Sequence, residues 1–403
     1  GKKSQNVEDD ESVSTYRIFS RSFCNFVFPR PEVRRPMPKE GDLSSAISSK
    51  LDEDDLDALT NEEKLDNIDG RYEADGLLGD ESTAQSKKKD KALYDRKIVE
   101  ALKTLSDNKD KYFSPEALEL YSPKFLNIIE NVKDIDHKGL HLIYSQFRTL
   151  EGIGILKLVF DANNFVQFKI KKMGESWQLN MTQEELANPN KYALYTGTET
   201  SEEKEIIRNI FNGDWKYVPP AIESKIKQMG INNMYGGIIK ALMISASGAE
   251  GISLKNVRYV HITEPYWHPV RIQQVIGRAR RICSHKDLPE ALRTVEVFLY
   301  LMTFSKKQLG SDNAIELRLK DTSKTDGVTP LTSDEALYEI ATIKAIEHNI
   351  VYQILLKGYK GIKKVSLNKK KYNKFNHETD KFDKIIEWVL DTDGTNLVDI
   401  LAN

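Results

Sequence analysis

The run Gln273-Gln274-Val275-Ile276-Gly277-Arg278-Ala279-Arg280-Arg281 sets three guanidinium groups beside a glycine at the end of an apolar-patterned segment. A guanidinium stays charged at physiological pH and offers forked donors that match phosphate oxygens. On a helix, Arg278 and Arg281 are three residues apart and share a face. Two such groups make a clamp for a polyanion, or for the charge that grows on a transferred γ-phosphoryl group. Arg280 also has a plainer reading, a pairing with a neighbouring acid.

More polar chemistry falls in short loops. Ser145-Gln146 follows HLIY, Thr196-Gly197-Thr198 follows YALY, and Ser245-Ala246-Ser247-Gly248-Ala249-Glu250-Gly251-Ile252-Ser253 follows ALMI. Glycines and small hydroxylated residues let backbone N–H groups approach a phosphate, and the hydroxyls add donors. Ser247-Gly248 equally suits an ordinary turn. Glu264-Pro265-Tyr266-Trp267-His268-Pro269 leads into the arginine segment. Cys283 with His285 is too sparse for a metal site.

These loops need elements to hold them. Strands are predicted at 141–147, 192–196, 241–245, 259–262 and 295–302, and helices at 92–105, 115–132, 150–160 and 201–211. Helix 201–211 has an acidic first turn, as the helix dipole favours. Short, nearly continuous apolar strands alternating with helices imply a parallel α/β sheet with helices on both faces. In such sheets function gathers beyond the strands' C-terminal ends. Prolines 29, 31, 36 and 38 exclude a helix there and favour an extended strap. Thr332-Ser333-Asp334-Glu335 reads as a capping box opening a C-terminal helix. Beyond it, Tyr359, Tyr372 and Phe375 interleave with lysines, which suits either nucleic acid or a solvated surface.

The 403 residues allow one large or two medium domains. No apolar run reaches the roughly 20 residues of a membrane span, and no signal pattern opens the chain. The two cysteines, Cys24 and Cys283, cannot form a disulfide framework and suit a reducing, intracellular setting. The net charge of −2 conceals an asymmetry, because residues 51–81 carry thirteen acids against two bases. The remainder is basic, as in a nucleic-acid binder whose acidic insert could shield it; the plainer reading of the insert, a solvated linker with no regulatory role, is preferred.

The order YSQF, YTG, ISASGAEGISL and YWHP followed by QVIGRARR resembles motifs IV, IVa, V and VI of superfamily 2 helicases and translocases. Trp267-His268-Pro269 resembles the tryptophan-asparagine-proline of Swi/Snf-type ATPases. With YRIFSRSFCNFVFPRPEVRRP, YSPK and TSDEALYEIATIK, the chain looks most like helicase-like ATPases of nucleocytoplasmic large DNA viruses. Relatives of the poxvirus early-transcription and termination ATPases belong to that group. The resemblance covers residues 137–305, and more weakly 12–38, 113–125 and 331–345. It implies a RecA-like C-terminal lobe with an N-terminal extended or disordered flank and a C-terminal helical extension. It also implies that Arg278 and Arg281 are arginine fingers on ATP–Mg²⁺ bound by a facing lobe, with Gln274 positioning phosphates or the attacking water. Gly248, Glu250, Gly251, Ser253 and Gly277 would approach the nucleotide. Ser145, Gln146, Thr196, Gly197, Ser245 and Ser247 would touch a nucleic-acid backbone, double-stranded DNA by the resemblance. Ser253 departs from the pattern, since many relatives carry aspartate there, which puts the ribose contact in question.

A complete enzyme of this kind also needs a phosphate loop, GxxxxGK[ST], and an Asp-Glu pair at a strand end to hold Mg²⁺. The sequence has no GK[ST]. Asp334-Glu335 starts a predicted helix and is rejected as the metal pair. The chain begins at Gly1 and is expected to be a piece carrying the second lobe only. The first RecA-like lobe would act in cis or trans, and RNA polymerase is a further expected partner. The expected layout is an extended segment linking from the first lobe at 1–50, an acidic disordered insert at 51–91 and a helical connector at 92–135. The lobe follows at 136–308, then a loop at 309–330 and a helical, lysine-rich extension at 331–403. The expected location is the host cytoplasm, a viral factory or the virion. The alternative is a regulatory module without ATPase activity that binds nucleic acid or a polymerase.

Overall fold

The apolar runs form Leu140–Tyr144 (β1), Val166–Gln167 (β2), Ile170–Met173 (β3), Ser176–Leu179 (β4), Lys191–Tyr195 (β5), Ala241–Ile244 (β6), Val257–Ile262 (β7) and Glu296–Leu299 (β8). The computed structural model describes residues 20–36, 96–148, 150–228, 232–245, 251–267, 269–309, 321–357, 366–376 and 381–391, with side chains described up to residue 345. Strands β2-β5-β6-β1-β7-β8, in that order, make a six-stranded sheet in which every pairing is parallel. The described helices of five or more residues are 96–107 (α1), Pro115–Tyr121 (α2), Pro123–Lys133 (α3), Ile153–Ala162 (α4), Gln183–Ala187 (α5), Ser201–Asn212 (α6), Pro220–Gln228 (α7), Pro269–Ala279 (α8) and Ser333–Lys357 (α9).

Alternation along each strand splits the core into two layers. Leu140, Leu142 and Tyr144 pack with Ile206, Ile207 and Ile210 of α6, Ile222 and Ile226 of α7, and Val275, Ile276 and Ala279 of α8. Ile143 and Met243 pack on the other face with Phe125, Ile128 and Val132 of α3 and Leu156, Val159 and Phe160 of α4. Phe26 and Phe28 of the N-terminal strap join this second layer, so the strap is part of the core. Burying each such side chain stabilises the fold by about 1.5–3 kcal/mol. This is the expected α/β, RecA-like architecture, a parallel sheet covered on both faces.

Several boundaries differ from the sequence expectation for local reasons. Strand β1 stops at Tyr144 because the Ser145 side chain engages the Phe147 backbone N–H at 3.2 Å. Helix α4 begins at Ile153 rather than Leu150, since Leu150 has φ 37° and Ile153 N–H bonds back to Phe147 O at 2.8 Å. A hairpin, β3–β4, sits inside the lobe, and the sequence signal for it is Gly174, whose φ of 62° suits a tight turn. At the end of the lobe, Thr332 and Glu335 form the expected capping box, with reciprocal bonds of 2.9 and 3.1 Å.

Two compact units can be distinguished, residues 1–265 with 270–336, and residues 266–269 with 337–403. The second contains most of α9, whose Lys344 ammonium lies 3.7 Å over the Trp267 ring. It also contains Ser366–Asn376 (β9) and Lys381–Asp391 (β10), paired antiparallel where a continuing helical extension was expected. Ile385-Ile386-Glu387-Trp388-Val389-Leu390 is rich in strand-forming types. The register sets Lys370 opposite Glu387 and Lys374 opposite Asp383. Among the described residues, no helix is long and apolar enough to cross a membrane.

Candidate functional site

The expected site residues separate to opposite ends of the sheet. Ser145, Gln146, Thr196, Gly197 and Ser245 follow the C-terminal ends of β1, β5 and β6. Helix α8 runs back along the sheet, so that Ser284, just beyond it, accepts a bond from Asn256 N–H at the N-terminal end of β7. Six residues of strand set these ends about 20 Å apart. Ser247, Gly248 and Glu250 lie outside the described residues.

At the β1 tip, Ser145 Oγ is 2.7 Å from Glu264 Oε1 and Gln146 N–H donates to Glu264 Oε2 at 2.9 Å. Asn25 of the strap donates to the same carboxylate, and Arg21 donates to the Gln146 side chain. Lys124 of α3 donates to Asn25 at 2.9 Å and pairs with Asp334 at 2.5 Å, and Asp334 also accepts from Met302 N–H at 2.9 Å. Glu264, Ser145 and Asp334 are wholly buried. Burial pushes the Glu264 carboxyl above its ordinary range, while Lys124 and the three donors pull it back. Burial, with the negative charge of Asp334, also pushes the Cys24 thiol up to about 12, so this cysteine stays protonated. Cys24 and Cys283 are both free thiols.

At the β5 tip the pattern repeats on a smaller scale. Thr196 N–H donates to Glu199 at 2.6 Å, and the Thr196 and Thr198 hydroxyls approach the same carboxylate at 3.0 and 2.8 Å. Thr196 is buried and Gly197 half-buried beside it. Donors read from the sequence as phosphate contacts therefore hold an internal carboxylate at both tips. Ser245 is wholly buried.

The other end is different. Gln274 and Arg278 are one turn apart on α8 and share its outer face, away from Val275, Ile276 and Ala279. Gly277 lies on the turn between them, and a Cβ there would meet open space. A mid-helix glycine costs about 1 kcal/mol relative to alanine, and no neighbour within the chain requires it. Arg281 does not share the helical face expected for it. The helix ends at Ala279, whose carbonyl is taken by Ser284 Oγ at 3.1 Å, and Cys283 has φ 58°. Arg281 thus projects from the turn beyond the helix and is exposed. Among the described residues, neither Arg278 nor Arg281 pairs with a carboxylate. Gly251, with φ 70°, starts the return toward this end, and the Ser253 carbonyl accepts from Asn212 at the end of α6 at 2.9 Å. Ser253 is therefore held by its backbone with its side chain exposed.

Residues 162–283 match the family model described as helicase conserved C-terminal domain, from the end of α4 to just past Arg281. The chain carries a helicase C-terminal domain. R350 of Acanthamoeba polyphaga mimivirus, named for an ATP-dependent RNA helicase, is 31% identical over 308 residues, which are 71% of this chain and 33% of R350. The termination factor NPH-I homolog of African swine fever virus, isolate Pig/Kenya/KEN-50/1950, is 32% identical over 215 residues, 48% of this chain and 28% of that protein. The chain thus spans about a third of the length of these relatives. The solved C-terminal part of the Fun30 ATPase domain superposes with a TM-score of 0.33 at 14% identity, covering 84% of this chain and 94% of that one.

Within this helicase domain, reasoning from sequence missed Glu264 and Glu199 as occupants of the strand tips. Glu264 directly precedes the Pro265-Tyr266-Trp267 segment, and an acid at that strand end was the available signal. The Lys124–Asp334 pair was hidden by 210 residues of separation. Among the described residues, no group of three or more His, Cys, Asp or Glu side chains could hold a metal ion.

Proposed function

We propose that the chain supplies the second lobe of a superfamily 2 helicase-like, nucleic-acid-dependent ATPase or translocase. In this reading Arg278 and Arg281 stabilise the charge that develops on the γ-phosphoryl group of ATP held by a facing RecA-like lobe. The observation that carries it is the absence of a carboxylate partner for either guanidinium among the described residues, inside a helicase-domain match. A guanidinium left uncompensated by its own domain keeps its full charge for an incoming phosphate. Gln274, one turn away, orients the attacking water or the phosphate oxygens, and the open surface at Gly277 admits the nucleotide closely. Gly248, Glu250, Gly251 and Ser253 form the neighbouring approach. Mg²⁺ supplies charge neutralisation across the phosphates and is held by the facing lobe.

At the strand tips, Ser145, Gln146, Thr196, Gly197, Ser245 and Ser247 shape the nucleic-acid track. Ser145 acts through the loop that Glu264 fixes, because its hydroxyl is already engaged, whereas the Gln146 amide nitrogen keeps its donors. Double-stranded DNA is the proposed track, and the setting is viral transcription or DNA remodelling with an RNA polymerase nearby. Joining the chain to its first lobe tests the reading. Hydrolysis should be negligible with either part alone and rise on assembly, with further stimulation by duplex DNA. An assembly that binds DNA with no hydrolysis would favour a regulatory module instead.

A further inference from the structure

Beyond α8 the chain builds an open depression of about 540 Å³ lined by Arg280, Arg281, His285, Arg293, Thr294 and Val295. That is room for a phosphate group with several waters, at roughly 30 Å³ per water. Arg293 and His285 are held in place by neutral partners. Arg293 donates to the carbonyls of Leu288 and Lys286 at 2.8 and 3.0 Å. His285 is fixed at both ring nitrogens, by Val257 O at 2.7 Å and Ser284 Oγ at 2.8 Å. Arg258 adds a further guanidinium behind the wall, donating to Thr294 Oγ1 at 3.2 Å. Among the described residues, no carboxylate pairs with Arg280, Arg281 or Arg293. Like charges gathered without a counter-charge repel one another, and a bound anion relieves that cost.

We infer that this depression is a phosphate-binding site, built by Arg280, Arg281 and Arg293, with the His285 ring fixed in its wall. The Arg293 guanidinium, anchored through Nε and Nη2 to backbone carbonyls, keeps its Nη1 donors for an oxyanion, and Arg280 is exposed and adaptable. The phosphate comes either from a nucleic-acid backbone or from a nucleotide. The site shares Arg281 with the catalytic reading above, and Arg280 and Arg293 are the residues it adds.

The test uses the full chain with three probes: inorganic tripolyphosphate, ATP and a labelled duplex oligonucleotide. Tripolyphosphate should shift the His285 ring resonances. Arg280→Glu, at an exposed position without a partner among the described residues, should weaken binding about tenfold or more. Arg293→Gln should act in the same direction, and the Arg280 variant keeps the test open if the Arg293 variant fails to fold. Weakened duplex binding, with a salt slope reduced by about one, assigns the site to a nucleic-acid backbone. Weakened ATP binding with duplex binding unchanged assigns it to a nucleotide. Unchanged binding of all three probes, or a loss confined to tripolyphosphate, overturns the inference.

Discussion

The two ends of the sheet manage charge in opposite ways. At the strand tips, the Ser145, Thr196 and Thr198 hydroxyls and the Gln146 and Thr196 backbone N–H groups spend their donors on Glu264 and Glu199, and the Lys124–Asp334 pair lies fully buried behind them. At the far end, Arg278 and Arg281 stand in a helicase-domain match without a carboxylate among the described residues. Satisfied polar groups hold a fold together, whereas unsatisfied charge at a surface is available to a ligand. The comparison teaches that donors alone do not mark a binding site; what matters is whether the chain has already provided their acceptor.

Breaking the buried end should have the largest effect. Asp334→Ala strands the Lys124 ammonium in the core and should cost about 3–5 kcal/mol in urea unfolding. A cost below 1 kcal/mol would mean that the network contributes little. Between the ends, His141 Nδ1 lies 2.9 Å from His261 Nε2, and His261 continues to Tyr300 at 2.8 Å. Burial drives both imidazoles to the neutral form, His141 well below its usual value and His261 to about 3. The unfolded chain takes up protons near pH 6.5 while the folded one does not. Stability should therefore fall as pH drops below about 6.5, by about 1.4 kcal/mol per unit for each histidine, and level off for His261 near 3. Denaturation midpoints across that range check it, and a flat profile would contradict it.

Smaller changes sharpen the contrast. Gly277→Ala should stabilise the chain by about 1 kcal/mol yet slow hydrolysis in the two-lobe assembly. Unchanged hydrolysis would show that no ligand needs that surface. Glu199→Gln removes a partly exposed carboxylate from the β5 tip and should strengthen duplex binding about twofold to fivefold in anisotropy titrations.

Much of this architecture was legible in the sequence. Strand interiors such as Leu142-Ile143 and Leu242-Met243 are apolar in both directions, so burial on two faces could be read directly. Strand ends were less legible, because Ser145 and Leu150 stop their elements through contacts and dihedrals that no periodicity records. Arg281 left its helix because Ser284, five residues beyond Ala279, captures that residue's carbonyl. Glu264 was invisible as a partner because Ser145 lies 119 residues away.

We propose that Arg278 and Arg281 do nothing for their own domain and act on a nucleotide held elsewhere. Thermal unfolding and ATP hydrolysis, taken from the same preparations of the assembled two-lobe protein with Arg278→Ala and Arg281→Ala beside the parent, decide it. Unfolding should change by less than about 0.5 kcal/mol while hydrolysis falls by roughly 10³-fold or more. Variants that hydrolyse ATP at the parent rate, or that lose several kcal/mol of stability, would overturn that role for the two arginines.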